Sequence, residues 1–168
     1  GLTVSGLPDT DSRALEPGGI FFAKLGEHDD GHRYLEQVSN LAALAVVSTP
    51  NRSLSLPQIR VADTVLALTA LAKHVLNQVR SKGDLQVIGI TGSNGKTSTK
   101  NMLREILSKV GPTVAPRDSF NNEVGLPLTV LRLETDTRFL VLEMGAAGLG
   151  SIAALASWCL PDIGVELK

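Results

Sequence analysis

Leu85-Gln86-Val87-Ile88-Gly89-Ile90-Thr91-Gly92-Ser93-Asn94-Gly95-Lys96-Thr97-Ser98 is the stretch on which the reading of this 168-residue chain turns. Leu85 to Ile90 is an apolar run of strand length. From Gly95 to Val110 the apolar residues Met102, Leu103, Ile106, Leu107 and Val110 recur at helical spacing, and Gly111-Pro112 stops the helix. Strand, glycine-rich turn, helix is the order that turns a glycine motif into a phosphate-site expectation.

Each residue of the turn has a chemical reason to be there. Gly92 and Gly95 let the backbone bend sharply and bring N–H groups against phosphate oxygens, where a β-carbon would crowd them. Lys96 places a point charge near the β- and γ-phosphates, the Thr97 hydroxyl can ligate Mg²⁺, and the helix start adds its positive dipole end. The loop Gly92, Ser93, Asn94, Gly95, Lys96, Thr97 and Ser98 is therefore expected to hold a nucleoside triphosphate. It departs from the strict P-loop pattern, which wants a glycine where Ile90 stands; Gly89 precedes it.

Downstream, Phe139 to Met144 and Asp162 to Leu167 are further short apolar runs around a helix-like stretch from Ile152 to Cys159, an alternation typical of a parallel α/β sheet. Glu143 closes the first of these runs, where open α/β sheets place ligand-binding residues, and is a candidate Mg²⁺ ligand. Asn121-Asn122-Glu123, before Gly125, reads on its own as a turn and helix cap.

Upstream of Val47, small apolar runs (Ile20 to Ala23, Ala43 to Val47) separated by Gly, Pro and Asp read as short strands. A helix with Leu35, Val38 and Leu41 on one face is expected between Tyr34 and Leu44. Asp63 or Thr64 can cap a longer helix with the stripe Val65, Leu68, Ala72, Val75, Leu76 and Val79. Arg80-Ser81-Lys82-Gly83-Asp84 has the composition of a linker, which sets expected domains at residues 1–82 and 83–168. The fold class is α/β: a small mixed α/β substrate-binding domain, then an incomplete P-loop parallel-sheet ATPase domain. A start at Gly1 without methionine, and an end in a strand, read as a fragment.

Bulk properties exclude several classes. Sixteen basic and seventeen acidic residues leave a net charge of -1, so no broad basic surface exists for nucleic acid or anionic lipid. Polar residues interrupt the longest apolar segment, Val61 to Val79, so no membrane insertion is expected. The one cysteine, Cys159, cannot form an intrachain disulfide, which fits a cytoplasmic protein. His28 and His32 stand four apart without a third ligand, which argues against zinc. Tyr34 and Trp158 read as packing residues, and Arg13 could pair with a diphosphate.

The motifs also carry a resemblance. Gly89 to Ser98 is similar to the phosphate loop of the Mur ligases of peptidoglycan synthesis, which lacks the same P-loop glycine. Phe120 to Thr129 looks like the signature of the MurF type, and Leu142 to Ala146 like its metal-binding strand end. The MurE type would be expected to show a Thr-Thr-Pro element and a Glu-Val-Ser-Ser-His run, and neither is here. Asp11-Ser12-Arg13, Gly18 to Ala23 and Asp30-Gly31-His32 resemble the amino-terminal domain that holds the UDP-sugar end of the substrate in both types.

The resemblance implies an ATP-dependent amide-forming ligase acting through an acyl phosphate on UDP-N-acetylmuramoyl-tripeptide and D-alanyl-D-alanine, as a cytoplasmic monomer. Carried over, Lys96 contacts phosphates, Thr97 and Glu143 the Mg²⁺, Asn122 or Glu123 the nucleotide-metal region, and Ser12, Arg13, Gly31 and His32 the UDP-sugar. Lys96 and Glu143 are then the catalytic pair. Family members continue past the final strand to a histidine, a carbamylated lysine and a third domain, so this chain alone is expected to be catalytically incomplete. The rival readings are a module that binds nucleotide or UDP-sugar without catalysis, a MurE-type ligase, and a generic P-loop kinase or NTPase.

Overall fold

The two short apolar runs of the amino-terminal half fold as parallel strands, joined by a third strand at Gln58–Arg60 that the sequence reading did not give, in a computed structural model that describes residues 1–26, 29–116 and 120–168. β1 (Ile20–Phe22), β2 (Leu44–Val47) and β3 (Gln58–Arg60) lie in that order, with Phe21 opposite Ala45 and Val46 opposite Ile59. Parallel neighbours need a crossover. Between β1 and β2 it is a 3-10 turn, Gly31–Tyr34, running into the one-turn helix α1 (Leu35–Val38). Phe21, Ala23, Leu35, Val38, Ala45 and Val47 form the core of this unit.

The helix expected to reach Leu44 is therefore much shorter. Ser39 Oγ donates back to the Glu36 carbonyl at 2.7 Å, and the Leu41 carbonyl accepts the Gly18 N–H at 2.8 Å. A backbone group recruited by another segment cannot extend the helix, so Leu41 packs on the core from a turn.

α2 (Thr64–Lys82) takes its cap from Asp63, whose Oδ1 accepts the N–H groups of Val65 and Leu66 at 2.7 and 3.0 Å. Thr64 donates instead to the Ala23 carbonyl at 3.3 Å. Of the expected stripe, Leu68, Ala72, Leu76 and Val79 are buried. The linker reading of Arg80 to Lys82 is corrected: these residues form the last turn of α2. Arg80 donates to the Leu160 carbonyl and pairs with Asp162 at 3.2 Å, and basic side chains are favoured at a helix carboxyl end. The chain packs as two units, Gly1–Leu68 and Thr69–Lys168, so the division falls inside α2.

In the second unit β4 (Gln86–Gly92), β5 (Thr113–Val114), β6 (Phe139–Glu143) and β7 (Ile163–Leu167) form an all-parallel sheet in the order β5-β6-β4-β7. Three helices connect them: α3 (Lys96–Leu107), α4 (Gly125–Val130) and α5 (Ser151–Cys159). Ile88, Ile90, Phe139 and Val141 make a core on which Leu103 and Leu107 of α3 pack. Fully buried Leu140 and Leu142 each contribute on the order of 2 kcal/mol. α5 ends at Leu160, a left-handed residue with φ 45° whose carbonyl is the one Arg80 holds, and Pro161 bars continuation. Among the described residues, no helix is long and apolar enough to cross a membrane.

Cys159 sits in the last turn of α5, fully buried, its thiol donating to the Leu155 carbonyl at 3.2 Å. Burial pushes its pKa up to about 11. At pH 8 a thiolate fraction on the order of one in a thousand follows, and only the thiolate attacks a disulfide reagent. Ellman's reagent at pH 8 is expected to leave Cys159 unmodified in the native protein and to react fully once denaturant unfolds it; rapid native reaction would contradict this packing.

Candidate nucleotide site

At the carboxyl end of β4 the backbone leaves the sheet through Gly92, with φ 137°, and enters α3 through Gly95, with φ 79°. The two glycines are needed for different reasons. A β-carbon on Gly92 would stand 2.1 Å from the carbonyl oxygen of Leu167 on β7, so the site has no room for one. At Gly95 the nearest atom would be Leu167 Cδ1 at 3.7 Å, so only the left-handed backbone calls for glycine. The Ser93 N–H donates to the same Leu167 carbonyl at 3.3 Å, tying the bend to the neighbouring strand.

The bend presents charge and donors together. Lys96 Nζ donates back to the Gly92 carbonyl at 2.6 Å, which holds the ammonium across the loop. The first intrahelical bond of α3 runs from Thr99 N–H to Gly95 at 2.9 Å, so by helix geometry the amides of Lys96, Thr97 and Ser98 are left for an anion.

Beside the loop, β6 pairs with β4 so that Glu143 lies opposite Ile90 at the same end of the sheet. Glu143 is 2% exposed, and both carboxylate oxygens are engaged. Oε2 accepts the Thr97 hydroxyl at 3.0 Å; Oε1 accepts Asn121 Nδ2 at 3.2 Å. These oxygens fit a magnesium ion: ligands at about 2.0–2.1 Å in octahedral geometry stand about 2.9 Å apart along an edge. The present Thr97–Glu143 spacing already matches that edge, and phosphate oxygens and water would complete the shell. Among the described residues no cluster of three His, Cys, Asp or Glu offers a rival centre; His28 lies outside those residues.

The two asparagines divide their work. Asn122, expected near the nucleotide, spends its side-chain oxygen on the N–H groups of Val124 and Gly125 at 3.2 and 2.9 Å, at the start of α4. Glu123 is exposed in the same turn. Asn121, read in the sequence only as part of a turn and helix cap, is the residue that meets Glu143.

In the first unit, a cleft of about 530 Å³ is lined by Asp11, Ser12, Arg13, Lys24, Gly31 and Tyr34 among others. Ser12 is buried, while Arg13 is exposed and forks onto Asp11 through bonds of 3.0 and 2.7 Å. The Arg13 side chain and backbone amide hold the Asp11 carboxyl down at about 2, and Asp11 in turn raises Arg13. The guanidinium is thus oriented at the cleft rim by a carboxylate ionised throughout the neutral range. Lys24 and Tyr34 were missed as cleft residues; Tyr34 both packs on the core and donates its hydroxyl to Asp29 at 3.0 Å.

His32, expected at the substrate, does not line this cleft. Its Nε2 accepts the N–H groups of Ser48 and Thr49 at 3.0 and 3.3 Å, which places the proton on Nδ1, 2.7 Å from Asp30. The bonds from the His32 amide and ring hold the Asp30 carboxyl below its usual range. Nε2 braces the chain after β2 and Nδ1 is held by Asp30, so both ring nitrogens are engaged away from the cleft.

A family model described as the Mur ligase middle domain matches residues 90–167. The UDP-N-acetylmuramoyl-tripeptide--D-alanyl-D-alanine ligase of Mycobacterium leprae is 42% identical over 98% of this chain, which covers 36% of that protein. The enzyme of the same name from Bacillus subtilis is 40% identical over 93% of this chain and 34% of its own length. A crystal structure of MurF from Acinetobacter baumannii superposes with a TM-score of 0.86 at 38% identity, over 96% of this chain and 35% of that one. MurF from Thermotoga maritima in complex with ADP gives a TM-score of 0.79 at 28% identity, over 96% and 38%. The chain spans about a third of the length of the curated relatives it matches.

The two loop glycines separate experimentally. Gly95→Ala is expected to cost only the left-handed penalty, about 1–2 kcal/mol, because its β-carbon would meet Leu167 Cδ1 at an ordinary contact distance of 3.7 Å. Gly92→Ala must also displace the end of β7 and is expected to cost more than about 3 kcal/mol. Urea denaturation of both variants measures the difference; equal costs would contradict the Gly92–Leu167 contact.

Proposed function

This chain belongs to the Mur ligase family, and from that premise we propose that it carries the nucleotide site and the nucleotide-sugar site of an ATP-dependent carboxylate-amine ligase. The whole protein adds D-alanyl-D-alanine to UDP-N-acetylmuramoyl-tripeptide. The observation that carries the reading is the Thr97–Glu143 pair, two hard oxygens 3.0 Å apart at the foot of a glycine loop whose Lys96 ammonium is held back on the Gly92 carbonyl. The names of the relatives support the choice of substrates.

In the reaction, an oxygen of the tripeptide carboxylate attacks the γ-phosphorus of ATP. An O–P bond forms, the bridge to the β-phosphate breaks, and ADP leaves. The free amine of D-alanyl-D-alanine then attacks the acyl carbon; the C–N bond forms, the C–O bond breaks, inorganic phosphate leaves and the amine gives up a proton. The loop amides and Lys96 bind the phosphates, and Lys96 neutralises charge as it moves to the β–γ bridge. Thr97 and Glu143 would hold Mg²⁺, which supplies Lewis-acid neutralisation of the phosphate oxygens.

The nucleotide-sugar is assigned to residues 1–82 and ATP to residues 83–168. In the first part, Arg13 and Lys24 offer cations to a diphosphate while Ser12 and Gly31 line the same cleft. His32 acts there by bracing. The same proposal has the enzyme work in the cytoplasm, as a monomer.

Lys96→Ala in the intact protein is expected to lower tripeptide-dependent ADP release by at least about 10³-fold with an unchanged thermal melt. Normal ligation by this variant would overturn the assignment. ATP binding by the wild type, with no ADP release under any substrate combination, would reduce the chain to a binding module.

A further inference from the structure

Asn121 is held more firmly than a loop residue needs to be. Its carbonyl accepts the Gly145 N–H at 2.7 Å. A β-carbon on Gly145 would fall 2.9 Å from Asn121 Cγ and 3.0 Å from its Oδ1, so glycine is what lets the backbone after β6 lie against the amide. Gly145 stands two residues after Glu143. The segment that carries the carboxylate therefore also fixes the group that touches it.

A carboxylate only accepts hydrogen bonds, which orients the Asn121 amide with its NH₂ toward Glu143 Oε1. Oε2 is the oxygen that faces Thr97. We infer that Asn121 is a positioning residue: by occupying Oε1 it makes Glu143 a one-oxygen ligand, presenting Oε2 alone to the metal. This inference rests on the magnesium reading of Thr97 and Glu143 given above.

One-oxygen ligation has a chemical consequence. Magnesium demands near-ideal octahedral geometry at short distance, whereas calcium takes more ligands and accepts a carboxylate through both oxygens. With Oε1 held by Asn121, Glu143 suits magnesium. Without the amide the carboxylate is free to rotate and to offer both oxygens, and the advantage of magnesium over calcium shrinks.

The test titrates ATP onto the intact protein by calorimetry at a series of free Mg²⁺ or free Ca²⁺ concentrations, reading the cation concentration that gives half-maximal ATP binding. Asn121→Ala is expected to raise the Mg²⁺ requirement by about 10-fold, in the range for lost partners of metal ligands, and the Ca²⁺ requirement by less than about 3-fold. Asn121→Ser, whose hydroxyl is too short to reach Oε1, is expected to behave alike and serves if the alanine variant does not fold. Unchanged Mg²⁺ dependence in a folded variant, an equal rise for both cations, or loss of the fold in both variants would overturn the proposal. Glu143→Gln separates the two readings: it is expected to raise both requirements. If it raises neither, the metal site itself is misassigned; if it raises both while Asn121→Ala raises neither, only the role of Asn121 fails.

Discussion

The absence of one methyl group at Gly92 sets the geometry from which the rest of the site follows. Because nothing projects from that α-carbon, the last carbonyl of β7 closes onto it, and the same carbonyl takes the Ser93 N–H. β4 is thereby bent out of the sheet at a fixed place. The bend delivers Gly95 as the left-handed entry to α3, and α3 delivers Lys96 and Thr97 one residue apart, one reaching back to the loop and the other to Glu143. On the other side of β4, the parallel register with β6 carries Glu143 to the same sheet end. Two neighbouring strands thus converge on one point without any long side chain having to search for it.

What the sequence made legible is what is coded locally. The strand before the loop, the loop and the helix after it are contiguous, so apolar periodicity and two glycines sufficed to place Lys96 and Thr97. Glu143 was legible because a strand end is readable from an apolar run. The choice between Asn121 and Asn122 was not, since it depends on Gly145 arriving from β6. Of α4 only the capped start was legible; its extent was not, because all six of its residues are buried, leaving no polar face to give a helical period, and it includes Gly125 and Pro127. The turn from Arg80 to Lys82 resembled a linker in composition; a partner eighty residues away, the end of α5, gives it a reason to remain helical. His32 was placed in the right neighbourhood, but the direction of its ring is decided by the amides of Ser48 and Thr49, which no local pattern announces.

In the proposed function a chain with a net charge of -1 binds polyanions through short-range groups instead of a broad field. In one unit a guanidinium is oriented by its own carboxylate partner, and in the other a single ammonium is combined with helix amides that carry only partial charge.

The central claim is that the backbone from Ser93 to Thr97 grips the phosphates of ATP. Amide resonances of an isotopically labelled sample, followed while magnesium and ATP are added, report on it directly. The largest downfield shifts are expected at the amides of Gly95, Lys96 and Thr97, with Lys96 and Thr97 side-chain signals moving at the same ATP concentration. Amides of this loop that stay in place while ATP binds elsewhere on the protein would contradict the claim.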